Sequence, residues 1–255
     1  MSAGWAVAMQ DAKLRGFVDN FDEHNLQTCN LSGVVSDFGD RSSLYPAEAV
    51  LLEKYRLEIE NADVLDIGVG GGRTTFHLLA NCLSYRAVDY APAMIEVCRR
   101  RFVVCPPETF AVGDVRDLAT HADGAYRFVL LSGNSLDYIG HDDRLRALHE
   151  VRRVLARDGL FLFSTHSLHA YPFRDPMTQA RNRHADPGRM AAQGWYHLID
   201  YADRVVTHYV YPHVQLRELK AAGFATLDVL DLKGQAFDFA SPPDDWMVHF
   251  MCRAI

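Results

Sequence analysis

A doubly wound α/β fold, a parallel sheet with helices on both faces, follows from three observations on the sequence. Short apolar runs of strand length alternate with helically periodic stretches from about residue 61 onward. A glycine-rich turn, Gly68-Val-Gly-Gly-Gly72, joins one such run to a helix start. Three successive strand-like runs end in or just before an aspartate: Asp66, Asp89 and Asp114.

In chain order, residues 1–60 read as a helical cap or lid. Leu14, Phe17, Val18 and Phe21 recur at helical spacing between about Gln10 and Cys29. Asn30 to Ser43, rich in Ser, Gly and Asp, reads as a loop. Pro46 sits well in the first turn of a helix running to about Ile59. The core, residues 61–255, begins with the buried strand Val64–Ile67, the glycine turn and a helix from about Arg73. Ser84–Asp89, Thr109–Val112, Tyr126–Leu131 and Leu160–Ser164 follow as strands, with helices over Ala91–Val103 and Asp142–Ala156. In the second helix Leu145, Leu148, Val151, Val154 and Leu155 share one side. Residues 167–211 break this rhythm. Their prolines and glycines predict a loop, and the alternation of Trp195–Tyr201 and Val205–Tyr211 predicts a hairpin around Ala202-Asp203-Arg204. Pro212 opens a helix that Gly223 stops, and Phe224–Leu232 and Met247–Ile255 are the last two strands.

Composition narrows the function. With 255 residues and 49% hydrophobic residues, the chain can bury a full core. The net charge is −7, and the densest basic run, Arg99-Arg100-Arg101, falls at a helix end where cations suit the dipole. Nucleic-acid partners are therefore not expected. The five cysteines form no C-x-x-C pair and no zinc spacing, so no metal is expected and the thiols read as reduced and cytoplasmic. The first ten residues lack a basic region ahead of their apolar stretch, so no signal peptide is expected, and no apolar run has membrane-spanning length.

The glycine corner separates two kinds of ligand. A third glycine of the dinucleotide pattern G-x-G-x-x-G, counted from Gly68, would stand where Arg73 stands. The register is instead Asp66-x-Gly68-x-Gly70-x-Gly72, and a carboxylate there suits a ligand with a positive amino group rather than a pyrophosphate. This stretch resembles motif I of the class I S-adenosylmethionine-dependent methyltransferases. The resemblance runs from about residue 45 to 165, through Val64–Thr75, Val88–Arg101, Gly113–Leu118, Phe128–Tyr138 and Leu148–Thr165, and weakly through Tyr211–Phe224. It implies a Rossmann-like sheet of seven strands with the last antiparallel, and S-adenosylmethionine as cofactor.

On such a sheet, ligands bind beyond the carboxyl ends of the strands. Asp66 is expected to face the amino group, Asp89 the ribose hydroxyls, Asp114 the adenine amino group and Met94 the ring. Tyr45, Gly68, Gly70, Gly72, Arg73, Tyr90, Val115, Ser132 and Asn134 complete the expected cofactor contacts, with Tyr45 closing over the ligand from a lid at Arg41–Pro46. The exit of the fourth main strand reads Leu131-Ser-Gly-Asn-Ser-Leu-Asp-Tyr, not the Asn/Asp-Pro-Pro-Tyr of enzymes acting on base amines or glutamine amides. That departure points to a small-molecule acceptor, methylated on O or N. His166, at the exit of the next strand, is the expected base, with Asp137, Tyr138, His141, His169, Tyr196 and His208 near the acceptor. An aminopropyl-transferase-like enzyme, or a module that binds the cofactor without turnover, would share the same corner. A monomer and a homodimer are equally compatible with the sequence.

Overall fold

The computed structural model describes residues 21–173, 176–183, 185–200 and 205–255. The expected helical positions Leu14, Phe17 and Val18, and the hairpin turn at Ala202-Asp203-Arg204, lie outside the described residues. Ahead of the sheet come α1 (Phe21–Cys29), α2 (Ser32–Gly39), α3 (Pro46–Lys54) and α4 (Arg56–Ile59). The core then runs β1 (Asp63–Ile67), α5 (Thr75–Leu78), β2 (Ser84–Asp89), α6 (Pro92–Arg101), β3 (Phe110–Val112), β4 (Tyr126–Leu131), α7 (His141–Val154) and β5 (Leu155–Ser167). After it come α8 (Pro176–Arg181), α9 (Pro187–Gln193), β6 (Trp195–Asp200), β7 (Val205–Val210), α10 (Pro212–Ala221), β8 (Phe224–Asp231) and β9 (Met247–Ala254).

β3, β2, β1, β4 and β5 lie side by side and parallel. β9 runs antiparallel between β5 and β8. The strand order turns back between β1 and β4, the switch point at which such sheets open a crevice. The alternation of side chains along each strand divides the core in two. Leu65, Ile67, Val129, Leu131, Phe161 and Phe163 pack on one face with α7. Val64, Phe128, Leu130, Leu160 and Leu162 pack on the other, with Leu51 of α3 and Ile95 of α6.

Three expectations need correction. The stretch 30–43 is not all loop, because α2 occupies Ser32–Gly39. Its polar composition hides an apolar set, Val34, Val35 and Phe38, that packs against Ala91 and Met94 of the α6 entry. The insertion holds two short helices, α8 and α9, as well as the hairpin, and Asp186 caps α9 by accepting from the N–H groups of Gly188 and Arg189. The hairpin also joins the main sheet. β7 runs beside β5 at His166 and Ser167, while β9 occupies one edge of β5 from Leu160 to His166. The hairpin therefore sits on the β4 edge of β5, just past the end of β4, and the described sheet has nine strands rather than seven.

Asn25 fastens α1 to this arrangement. Fully buried, its amide donates to the carbonyls of Tyr138 (2.8 Å) and Val206 (2.7 Å) and accepts from the Val206 N–H (3.0 Å). Asn25→Ala leaves three backbone groups without that partner, each worth about 1–3 kcal/mol if it stays dry. Amide exchange of Phe21–Cys29 and Val206 is expected to accelerate by more than tenfold. Unchanged protection would show that α1 is held by other contacts.

Candidate active site

A cavity of about 1140 Å³, counting space open to solvent, lies beyond the carboxyl ends of β1, β2 and β4. Its floor is the glycine turn. Gly70 has φ of 54°, and a Cβ there would meet nothing within 4 Å, so bare backbone faces the cavity. Gly72 has φ of 84°, and a Cβ there would lie 2.4 Å from the Phe102 ring. The first position needs glycine for the ligand, the second for packing. Arg101 donates to the carbonyls of Gly71 and Arg41, so the last arginine of the basic run ties the turn to the segment above it. α1 and α2 form the roof, through Cys29, Val34 and Phe38.

Asp89 lines the cavity as expected. Its two oxygens each accept one backbone N–H, from Gly70 and from Ala91, both at 2.8 Å. Each oxygen keeps acceptor capacity for a ligand hydroxyl. Burial is the largest influence on this carboxyl and raises its pKa to about 6. Tyr90, Met94, Val115 and Ser132 line the cavity too, as do Tyr45 and Arg73. Asp114 also lines it, but Arg116 grips its carboxylate at 2.6–3.0 Å and reaches Asp22 (2.5 Å) and Asp143 (3.0 Å) as well. The acid expected at the adenine end is thus already paired, in a cluster that also holds the first turn of α1.

Asp66 is not on the cavity wall. It stands one residue before the strand end, so the strand alternation turns it onto the Val64 face, beneath the turn. There Oδ2 accepts from Thr74 (2.5 Å) and Tyr85 (2.7 Å). Its Oδ1 has no hydrogen-bond partner among the described residues, and burial raises its pKa to about 6. A cationic group bound above the turn would suit this carboxylate, through Thr74 rather than by contact. Asn134 is corrected in the same sense: at φ of 58° its side chain is wholly buried with no hydrogen-bond partner among the described residues, while its N–H is held by Ser164 Oγ and its carbonyl by the Asp137 N–H, both at 2.9 Å.

Of the expected acceptor residues only Tyr138 lines the cavity. His141 and His208 stack with Trp195, ring centroids 4.2–5.4 Å apart, with His208 buried and the other two half-buried. Burial presses the pKa of His208 well below its usual range. His169 packs on Tyr211, and Tyr196 lies under Arg189, both in the insertion. His166 also stands off the wall. Its ring lies 5.6 Å from that of Trp246, and Trp246 lies 6.5 Å from the cavity-lining Tyr45. Asp137 is fully buried and serves His166 instead of facing the cavity.

Glu48 is a residue that sequence reading missed. It accepts from Arg73 Nη1 (2.6 Å) and Nη2 (2.8 Å), from the Tyr45 N–H (2.8 Å) and from Ser132 Oγ. Burial would raise its pKa, but the Arg73 guanidinium outweighs that and holds it below the usual carboxylate range. The Tyr45 ring caps Arg73 at 4.6 Å. Three cavity residues, Tyr45, Arg73 and Ser132, are thereby locked by one carboxylate. The signal was an acid three residues after the helix entry, but its partners come from β1–α5 and β4, which no local pattern names.

An open glycine cradle, a fixed acid at the end of β2 and an apolar wall at Met94 and Val115 fit an adenosyl amino acid. Residues 64–159 match the family model described as a methyltransferase domain. Over those residues the chain therefore carries a methyltransferase domain, on a Rossmann-like sheet whose open corner suits S-adenosylmethionine. A methyltransferase from Methanosarcina mazei shares the fold at 16% identity, covering 84% of this chain and 99% of its own, with a TM-score of 0.61. One from Clostridium acetobutylicum does so at 15% identity, 83% and 92% coverage and a TM-score of 0.58. The 1,6-didemethyltoxoflavin-N1-methyltransferase of Burkholderia thailandensis, solved with 1,6-didemethyltoxoflavin and S-adenosylhomocysteine, does so at 17% identity, 100% and 91% coverage and 0.57. At these identities the likeness is one of fold. No curated protein matches the chain. Among the described residues, no helix is long and apolar enough to cross a membrane.

Proposed function

We propose that this protein methylates an O or N atom of a small-molecule acceptor. The observation that carries the reading is the roof: α1, α2, Tyr138 and Val205 of the hairpin close over the glycine floor. An acceptor that reaches the methyl group has to fit under that roof, which favours a compact molecule over a folded macromolecule. The net charge of −7 points away from nucleic acid. The didemethyltoxoflavin enzyme, which shares the fold, was solved with a compound of that size bound.

In this reading Asp89 accepts from the ribose hydroxyls, Met94 and Val115 flank the adenine, and Arg73 and Tyr45 border the amino-acid end. Bound S-adenosylmethionine supplies an electrophilic methyl group on a sulfonium. The chain's part is to align the acceptor, exclude water and take the proton that an O–H or N–H acceptor must lose. His166 is assigned that last role. It lies near the end of β5, the strand beside β4, and the Trp246 ring stands 5.6 Å from it and 6.5 Å from the ring of the cavity-lining Tyr45.

Purified protein incubated with S-adenosylmethionine is expected to release S-adenosylhomocysteine with a low-molecular-mass metabolite fraction. Release only with a nucleic-acid or protein fraction would remove the small-molecule reading. Asp89→Ala is expected to weaken S-adenosylhomocysteine binding roughly tenfold or more, since a polar ligand group loses its partner at about 1–3 kcal/mol. Calorimetry giving normal affinity, or tight binding of NAD by the wild type, would remove Asp89 from the cofactor site.

A further inference from the structure

We infer that Asp137 is a positioning residue that locks His166 with Nδ1 protonated and Nε2 bare. Such a histidine serves acceptors with a dissociable proton, such as hydroxyls and N–H groups, rather than tertiary amines. The inference rests on the assignment of His166 as the base.

Asp137 lies in the 3₁₀ turn Ser135–Tyr138, which follows β4 and has cavity-lining residues at both ends. The turn therefore connects the cavity wall to the buried side of His166. Oδ2 of Asp137 accepts from the His166 N–H at 2.6 Å and lies 2.8 Å from Nδ1. Oδ1 accepts from Thr165 Oγ1 at 2.7 Å and from Arg144 Nη1. Both oxygens of Asp137 already accept from fixed donors, Oδ1 from Thr165 and Arg144 and Oδ2 from the His166 N–H, so the carboxyl acts as acceptor throughout and Nδ1 carries the hydrogen of this pair. In a neutral imidazole that leaves Nε2 as the acceptor. The Tyr209 ring at 4.7 Å and the Trp246 ring at 5.6 Å hold the plane.

The neighbouring histidines have no such partner. Both ring nitrogens of His208 and of His249 are buried without a hydrogen bond among the described residues. His141 Nδ1 stands 3.9 Å from Glu218, beyond hydrogen-bond reach. Because Arg144 already balances the charge of Asp137, its contribution is orientation and tautomer more than charge. Arg144 is in turn steadied by Gln215 Oε1 at 2.6 Å. The step is a simple exchange. The acceptor's X–H bond breaks and its electron pair stays on X. The proton joins Nε2, and X bonds the methyl carbon as the methyl–sulfur bond breaks with its electron pair going to sulfur, which leaves S-adenosylhomocysteine; the imidazolium returns the proton to solvent.

Two measurements test this. Long-range proton–nitrogen spectra of protein labelled in its histidines, with S-adenosylhomocysteine present and His166→Gln used to assign the signal, should show His166 with Nδ1 protonated and Nε2 bare. The opposite tautomer, or a doubly protonated ring at neutral pH, would overturn the inference without any turnover being measured. In Asp137→Asn the amide N–H₂ has to face His166, which reverses the tautomer. With phenols and ring N–H heterocycles as acceptor probes, this variant should lose about 10²-fold in kcat with its KM for S-adenosylmethionine unchanged. It should cost nothing further on top of His166→Ala. An equal loss in both backgrounds would make Asp137 merely structural. Full turnover by His166→Ala would remove the base and with it the role of Asp137, while methyl transfer itself stood. Should Asp137→Asn fail to fold, the wild-type spectra alone decide.

Discussion

His166→Ala is expected to lower turnover by about 10²–10⁴-fold, the range for a positioned general base, while leaving S-adenosylhomocysteine affinity nearly intact. The separation of the two effects follows from geometry. His166 does not line the cofactor cavity; it stands behind Trp246, its backbone N–H and Nδ1 both committed to Asp137. Removing the imidazole therefore takes away Nε2 without touching the glycine turn or Asp89. The ring also packs on Tyr209, so some stability is lost as well, and His166→Gln, which fills more of the space, separates packing from chemistry. The measurement is initial rate at saturating cofactor, alongside calorimetric binding of S-adenosylhomocysteine. Turnover within threefold of wild type would leave His166 as a wall residue and place catalysis on alignment alone.

The sheet was legible because buried strands announce themselves locally. Val64–Ile67, Ser84–Asp89 and Tyr126–Leu131 are short apolar runs closed by turn residues, and their bounds match β1, β2 and β4 within a residue. The glycine turn was legible for a similar reason, since Gly68, Gly70 and Gly72 hold φ of 54–84°, where most side chains are strained. What local pattern cannot carry is direction and partnership. Asp66 reads as a strand-tip acid, yet one step of alternation turns it away from the cavity and onto Thr74 and Tyr85. Asp114 reads as free for a ligand, yet Arg116 two residues on takes it. α2 reads as loop because Ser, Gly and Asp outnumber Val34, Val35 and Phe38, and burial against Met94 decides the matter. The set that organises His166 draws on Asp137 and on Arg144, Thr165 and Gln215, which come together only after β4, α7, β5 and α10 have packed.

The same dependence on distant partners makes Glu48 a sensitive position behind the cavity edge. Glu48→Gln keeps the shape and removes the charge that Arg73 faces. The side chains of Glu48 and Arg73 are only 2% and 13% exposed, so the guanidinium is left partly buried beside a neutral amide. Breaking such a pair from one side costs about 3–5 kcal/mol, and the lower end applies because Arg73 retains some contact with water. For a chain of this size that corresponds to a fall in Tm of roughly 6–12 °C. The substituted amide also puts an N–H₂ where Glu48 has an acceptor, so at least one of Tyr45 N–H, Ser132 Oγ and Arg73 loses its oxygen. Tyr45 and Arg73 then move apart at the cavity edge, and cofactor affinity falls together with stability. Arg73→Leu added to Glu48→Gln removes the stranded charge, and most of the lost stability should return while affinity does not. That split is the informative result. Thermal unfolding of Glu48→Gln within 2 °C of wild type would mean that water already satisfies Arg73, and that the pair holds the cavity edge less tightly than its four hydrogen bonds imply.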